Sequence, residues 1–320
     1  MQVTIAPASN KTSTAAIRSL LSQNPDVQVK GLYRDPKKVP DDFSSANNFT
    51  AVQGDVGDVN TLDFSGSDAV LMVLPPAYDG RDIVEHAQRI SNNVKTAIEN
   101  ASRVQRLVLL SSVGAEFSEG VVSSSKPPLI SANLFFKGEL KTNYISEQVL
   151  RTTDIPEKII IRCSYFMENW TMSIETLKGA NPFFFSTITP LDFKIAMVAI
   201  RDIGEAMATQ LTRAWTPPSK PYIMELHGPE PYSPLDAQKA FSQALGKDVE
   251  IKAVEKEDIR EFYGKIFAPQ VVNEWVEMST SFLPGGIAEK DLSKPSDVDV
   301  IYGKTTLTET LREAVAELRK

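Results

Sequence analysis

The chain opens on a change of period. In QVTIAPASNKTSTAAIRSLL, Val3 and Ile5 alternate with polar neighbours. Ala16, Ile17, Leu20 and Leu21 then recur at helical spacing, so a repeat of two gives way to one of 3.6 within a few residues. A strand feeding a helix through a tight turn is how a βαβ unit begins, and such units build parallel sheets covered by helices. In dinucleotide-binding units the turn is glycine-rich, because bare backbone must approach a pyrophosphate held at the helix N-terminus. No glycine stands in this turn: Pro7, Asn10 and Ser13 occupy the positions that a G-x-x-G-x-x-G pattern would fill. Asn10 is the mildest of these replacements, since Asn tolerates positive φ. Ser9, Asn10, Lys11 and Thr12 remain candidate phosphate contacts, offering hydroxyls, an amide and a charge, with Thr12 as the candidate helix cap. The alternative is a turn that merely starts a helix.

Beyond the turn, apolar strands continue to alternate with helices. Residues 28–34 (QVKGLYR) read as a second strand. A positive residue at the end of that strand is where a ribose 2′-phosphate lies, whereas an acidic one favours NAD. Arg34 therefore favours NADP if a dinucleotide binds; an ordinary surface arginine is the alternative. FTAVQGDVGD, 49–58, reads as a short third strand with an acidic turn, and its Asp55 and Val56 are placed to approach an adenine ring. DAVLMVL, 68–74, is apolar throughout, as expected of a central strand covered on both faces. Pro75, Pro76 and Ala77 stop it, so Leu74 and Pro75 fall on the cofactor side and Tyr78 in the adjoining loop. A helix over 81–101 carries Ile83, Ala87, Ile90, Val94 and Ala97 on one stripe, with His86 at its border.

RLVLLSSV, 106–113, reads as another buried strand. Ligands of an open parallel sheet lie beyond the carboxyl ends of its strands, which makes Ser111 a candidate cofactor contact and Ser112 a candidate catalytic hydroxyl. Simple capping of the strand end is the alternative. Residues 116–131, rich in Ser, Gly and Pro, have the length of a lid. The helix expected over 132–151 sets Lys137, Lys141, Tyr144 and Gln148 along one stripe. Facing a cofactor, it offers two ammonium groups and a phenol for proton transfer; facing water, it is a charged surface. A strand over 158–163 leads into SYFMENW, and NPFFF, 181–185, is strongly aromatic. The stretch 193–200 is expected to return to the sheet before a helix over 202–211. Pro217, Pro218 and Pro221 mark a boundary. Past it come a strand, a Gly-Pro turn with a structural His227, a helix and a strand, and the last helix opens on the capping box Thr306 and Glu309.

At 42 % hydrophobic and 23 % charged, the 320 residues can bury a substantial core. The net charge of −7, with no cluster of Lys and Arg, argues against a nucleic-acid or anionic-membrane partner. Cys163 is the sole cysteine and is expected to be a small core residue. Two histidines exclude a His-rich metal site and disfavour a Ser-His-Asp hydrolase. No basic-then-apolar leader opens the sequence and no apolar run approaches about 18 residues, so a cytoplasmic location is expected.

GLYRDPKK, VQGDVGD, RLVLLSSVGA, IIIRCSYFMENW, the Ile203-Gly204 turn in RDIGEAMA and LHGPEPYSPLDAQKAFSQALGK together resemble the NmrA-like branch of atypical short-chain dehydrogenases, a type common in fungi. The matching blocks run in order along nearly the whole chain, and FMENW and SSVGA are the most specific. The resemblance implies an α/β fold: a Rossmann-like doubly wound parallel sheet with a second, smaller α/β substrate domain, and NADP(H) between them. Residues 1–160, with 192–211 returning, are assigned to the first domain, and 161–191 with 212–320 to the second. PASNKTS is similar to the GKT-containing turn of the ergot-alkaloid reductases without its glycines. Tyr144 is followed at four residues by Gln148, so the Tyr-x-x-x-Lys pair is missing, and Asn143 stands where relatives often carry Lys or His.

Three functions stay open on these grounds. The first is an NADP(H)-dependent reductase of a small, largely apolar metabolite in fungal specialised metabolism. Its substrate would lie among Tyr78, Tyr165, Phe166, Asn169, Trp170 and Phe184, and Lys137, Lys141, Tyr144 or Ser112 would polarise the acceptor. The second is a redox-neutral cyclase or isomerase that has lost the cofactor, with Tyr144, Lys141 and Asp192 as acid–base groups. The third is a non-catalytic regulator that senses NADP(H) and binds a protein partner.

Overall fold

A computed structural model describes residues 1–77, 79–116, 140–286, 289 and 296–319. In chain order the N-terminal half gives β1 (Gln2–Ala6), α1 (Lys11–Gln23), β2 (Gln28–Tyr33), α2 (Asp41–Ser44), β3 (Phe49–Gln53), β4 (Ala69–Val73), α3 (Ile83–Glu99), β5 (Arg106–Ser112), α4 (Leu140–Leu150) and β6 (Glu157–Cys163). There follow β7 (Tyr165–Phe166), β8 (Phe183–Ser186), β9 (Ile195–Val198), α5 (Ile200–Thr212), β10 (Tyr222–His227), β11 (Pro231–Tyr232), α6 (Pro234–Leu245) and β12 (Glu250–Ala253). The last elements are α7 (Ile259–Gly264), α8 (Pro269–Ser281), β13 (Asp299–Tyr302) and α9 (Leu307–Leu318).

Eight strands form one sheet in the order β13-β10-β6-β5-β4-β1-β2-β3, and every pairing in it is parallel. The strand order reverses between β1 and β4, which is where an open sheet of this kind leaves a crevice. The central strands are buried on both faces because alternate residues enter different cores. Val3, Ile5, Leu71, Val108 and Ile161 pack with Ala16, Ile17 and Leu20 of α1 and Ile203, Met207 and Leu211 of α5. Val70, Met72, Leu107, Leu109 and Ile160 pack instead with Ile90, Val94 and Ile98 of α3 and Leu150 of α4. Helices on both faces make the fold doubly wound, as the sequence predicts.

Helix α1 approaches α5 closely at Gly204. A Cβ built there would lie 2.5 Å from the carbonyl carbon of Ala15, so only glycine admits this crossing. The ends of α5 are held by residues from elsewhere. Its N-cap, Ala199, has no side-chain acceptor, and Glu168 Oε1 accepts from the Ile200 amide instead, at 2.9 Å. At the other end Arg106 donates to the carbonyls of Gln210, Leu211 and Arg213 at 3.1, 3.1 and 2.8 Å. An acid at the N-terminus and a cation at the C-terminus both complement the helix dipole.

The smaller unit has a core of its own. β8 pairs with β12, while β7, β9 and β11 make a three-stranded sheet. Trp170, Phe184, Tyr232 and Phe241 pack there with Ile259 and Tyr263 of α7, Val272 of α8 and Leu307, Leu311 and Val315 of α9. The Thr306–Glu309 capping box starts α9 as the sequence predicts. A second box, Ser233 with Asp236, starts α6.

Three expectations need correction. β9 does not return to the main sheet; Ile195–Val198 pairs with β7 and β11, and it is α5 that comes back. Conversely β10 and β13, within the 212–320 stretch assigned to the smaller domain, extend the main sheet beside β6. A six-residue apolar strand carries no mark of which sheet it will join, because partners are chosen by tertiary packing. The third concerns the cap of α1: Asn10, not Thr12, accepts from the Ser13 amide at 2.7 Å.

Candidate functional site

The crevice at the carboxyl edge begins with the turn between β1 and α1. Asn10 needs no positive φ; its φ of −81° and ψ of 161° are those of an ordinary N-cap. Thr12 donates to Asn10 Oδ1 at 2.8 Å and is buried, so its hydroxyl is committed within the turn. The amides of Lys11 and Thr12 open the helix and have no acceptor among the described residues. Ser9 and Lys11 are exposed beside them, and no acidic residue lies in the first turn. Free amides, a hydroxyl and an ammonium group at the start of a 13-residue helix suit an anion. The turn thus fits a dinucleotide pyrophosphate without glycine. Ser13, at the third glycine position, is fully buried with its Oγ unpartnered, a tight place that holds a small side chain and little more.

Arg34 follows β2 immediately and is exposed, and its guanidinium has no partner among the described residues. Lys37 and Lys38 are exposed two and three residues on from Asp35. The neighbouring Tyr33 is buried with its hydroxyl unpaired among the described residues, and burial with nearby Asp42 pushes its phenol up to about 12. After β3, Asp55 Oδ1 accepts from the Gly57 amide at 2.8 Å. α3 then pins this loop, Arg89 donating to Gly57 O at 2.6 Å and Asn93 to Val56 O at 3.0 Å. Val56 is buried beneath it.

Past β4, Leu74, Pro75, Pro76 and Ala77 line one side of a cleft. The other walls are Ile83 and His86 of α3, Thr142 and Asn143 of α4, and Val271, Glu274, Trp275 and Met278 of α8. His86 is fixed by a contact of 3.1 Å between Nε2 and Pro75 O, and burial lowers its pKa. Glu274 Oε2 is buried and has no hydrogen-bond partner among the described residues. Burial, then the nearby Glu277, raises the Glu274 pKa against the opposing charge of Lys141. Lys141 thus stands near the cleft, while Tyr144 is half-buried on α4. Lys137, Tyr78 and nearly all of 116–131 lie outside the described residues.

Between β5 and β6 the edge is ionic. Glu147 is wholly buried and accepts from Ser111 Oγ at 2.6 Å and from Arg162 Nε and Nη2 at 2.9 and 2.7 Å. Arg162 also lies 3.3 Å from Glu116 Oε2. Ser111 therefore spends its hydroxyl on Glu147, and Ser112 donates to Val113 O at 3.1 Å. Composition and periodicity gave no warning of this cluster. The one available signal is an arginine inside an otherwise apolar strand, KIIIRC.

A second, smaller pocket lies at the ends of β5, β6 and β10. Val113, Ser164, Tyr165, Phe193, His227 and Phe282 line it, with Lys194 and Glu289 also on its walls. The Tyr165 ring meets Phe282 edge-on at 5.6 Å, and its phenol, raised in pKa by burial, bonds Asn169. His227 is the last residue of β10 rather than part of a turn, and it is buried. Of the six expected substrate contacts, Tyr165 lines this pocket, while Phe166 packs on the main core. Trp170 and Phe184 sit in the core of the smaller unit, their rings edge to face at 5.6 Å.

A parallel sheet with its crevice over β1 and β4, an anion-ready helix N-terminus and a cationic end to β2 define a dinucleotide-binding protein. The chain belongs to the NAD(P)H-binding family, whose model matches residues 8–211. No curated protein matches the sequence. Solved structures match it in fold. The NADPH-dependent quinone oxidoreductase of Escherichia coli superposes with a TM-score of 0.69 at 19 % identity, over 99 % of this chain and 100 % of that one. The triphenylmethane reductase of Citrobacter sp. gives 0.68 at 19 % identity, over the same shares of the two chains. The leucoanthocyanidin reductase of Vitis vinifera gives 0.68 at 14 % identity, again over 99 % and 100 %. Among the described residues no helix is long and apolar enough to cross a membrane.

Proposed function

We propose that this protein is an NADP(H)-dependent reductase of a small, largely apolar metabolite, in a setting of fungal specialised metabolism. The observation that carries the reading is the pairing of two unspent anion-binding sites along the edge: the Lys11 and Thr12 amides at the N-terminus of α1, and Arg34 at the end of β2. The first suits a pyrophosphate and the second a ribose 2′-phosphate. Asp55 and Val56 would flank the adenine, and Leu74 and Pro75 would border the dinucleotide where it passes β4. When bound, the nicotinamide supplies a hydride. This chain's own part is to hold the acceptor and exclude water, with Tyr165, Phe193 and Phe282 as apolar walls. The fold shared with an NADPH-dependent quinone oxidoreductase and with a triphenylmethane reductase solved in complex with NADP(H) supports the same reading.

A second reading, a redox-neutral isomerase or cyclase, is favoured by Glu274. Its carboxyl keeps its proton above the ordinary range and faces the cleft beside Asn143, so it could serve as a general acid without a cofactor.

Calorimetric titration separates the two. Micromolar NADPH binding, about −8 kcal/mol, is expected, with NADH weaker. R34A should weaken NADPH at least about tenfold and leave NADH unchanged, because the lost contact is to the 2′-phosphate alone. No binding of either nucleotide by the wild type would overturn the reductase reading and leave the second.

A further inference from the structure

The pocket at the ends of β5, β6 and β10 holds two polar atoms with no hydrogen-bond partner among the described residues. Ser164 Oγ and His227 Nδ1 are buried without a partner, and their residues are 5 % and 7 % exposed. Leaving a buried polar atom unpaired is costly, so two in one pocket mark a place where a ligand would be favoured. Neither is used by the ionic cluster of Glu147 and Arg162 or by the dinucleotide edge described above.

The hydrogen-bond roles of these atoms follow from their neighbours. His227 Nε2 lies 2.9 Å from Glu225 Oε2. A carboxylate only accepts, so Nε2 carries a hydrogen, and in the uncharged tautomer this leaves Nδ1 as an acceptor in the pocket wall. Glu225 is held in place by Ser296 Oγ at 3.2 Å and by the charge of Arg162. The Ser164 amide donates to Leu226 O at 3.0 Å, which seats the serine beside His227 with its hydroxyl uncommitted. The remaining charged side chains of the pocket differ in kind: Lys194 is half exposed and its Nζ lies 3.8 Å from Asp236, and Glu289 is exposed.

An acceptor nitrogen beside a hydroxyl donor is complementary to a group that both donates and accepts. We infer that this pocket receives a hydroxyl of the substrate or product, its O–H donating to His227 Nδ1 and its oxygen accepting from Ser164 Oγ. A carbonyl would satisfy Ser164 alone and leave Nδ1 unpaired. Tyr165, Phe193 and Phe282 around it select an aryl group, so the ligand class is a phenol or aryl alcohol. Calling that ligand a product rests on the reductase reading: an aryl carbonyl would gain at carbon the hydride that NADPH supplies in becoming NADP⁺, and at oxygen a proton from solvent, and an aryl alcohol is what results. The hydroxyl site itself does not depend on that reading.

The chain has two histidines, so their ring signals can be followed separately by NMR. Phenol is titrated into the full-length protein and compared with anisole, which has the same ring and no donor. Phenol is expected to shift the His227 signals and leave His86 unmoved, and to bind at least about tenfold more tightly than anisole. S164A removes a hydroxyl that has no partner among the described residues, so it should fold as the wild type does and bind phenol several-fold more weakly. Equal binding of phenol and anisole, a response at His86 alone, no response at all or an unaffected S164A would each overturn the inference. NADPH is titrated in parallel. Phenol at His227 without NADPH binding removes the reductase reading and keeps the hydroxyl site. NADPH binding without a phenol response does the reverse.

Discussion

Glu147 of α4 and Arg162 of β6 form a buried, two-bond ion pair, Nε and Nη2 reaching the carboxylate at 2.9 and 2.7 Å. The pair ties the helix after β5 to the next strand, right at the edge where ligands would lie. E147A would leave the Arg162 charge buried and short of its main partner, because Glu116 at 3.3 Å is a weaker one. A loss of about 3–5 kcal/mol in urea unfolding is expected. Replacing both residues by leucine and methionine should cost less than E147A alone, since the buried Arg162 charge then goes with its partner, while Glu116 keeps the Gly114 amide and Glu225 keeps His227 and Ser296.

Gly204 tests how far α1 can move. G204A puts a Cβ 2.5 Å from Ala15 backbone, which cannot yield as a side-chain tip would, so α1 and α5 must part. A destabilisation of about 1–3 kcal/mol is expected from the overpacking. The same shift should weaken NADPH binding, because the N-terminus of α1 moves with the helix. Retained stability with unchanged nucleotide affinity would show that the helices part freely.

Glu168 sets a slope in stability against pH. Burial outweighs the opposing bond from Ile200 and holds its native pKa above the ordinary glutamate value. Between those two values the unfolded chain has released the proton and the native chain has not, so stability falls as pH rises through that window. Below it both states are protonated and the penalty is absent. E168Q keeps an acceptor for the Ile200 amide and carries no charge. It should match the wild type at about pH 4 and exceed it at about pH 8 in urea midpoint. A wild type whose advantage over E168Q grew with pH would contradict this.

Trp170 and Phe184 are core residues of the smaller unit. W170A or F184A should therefore cost about 3–5 kcal/mol in stability. Normal stability with a selective loss of substrate affinity would instead return them to the wall of a binding site.

The order of the first six strands and the helices between them was legible in the sequence, because continuous apolar runs and helical stripes repeat with little ambiguity. Boundaries came out within a few residues: the strand expected over 106–113 is Arg106–Ser112, and the helix over 81–101 is Ile83–Glu99. The cap of α1 was misplaced because Asn10 and Thr12 are both capping residues. Their spacing to the first apolar residue cannot decide which one takes the cap. The sequence reads His227 as structural; Glu225, two residues before it in β10, is visible there, whereas Ser164 reaches it only through the pairing of β6 with β10.

By itself, then, the sequence determined a βαβ beginning, an open parallel sheet covered on both faces and a cationic end to the second strand. These are local properties, written in period, apolarity and residue type along contiguous stretches. Only the tertiary structure decided that β10 and β13 extend the main sheet and that Trp170 and Phe184 are packing. It alone brought Glu147 to Arg162, and Ser164 to His227. Those pairs are distant in sequence or silent in pattern, and they meet because burying apolar surface on both faces of the sheet leaves their polar atoms one another, or a ligand, as partners.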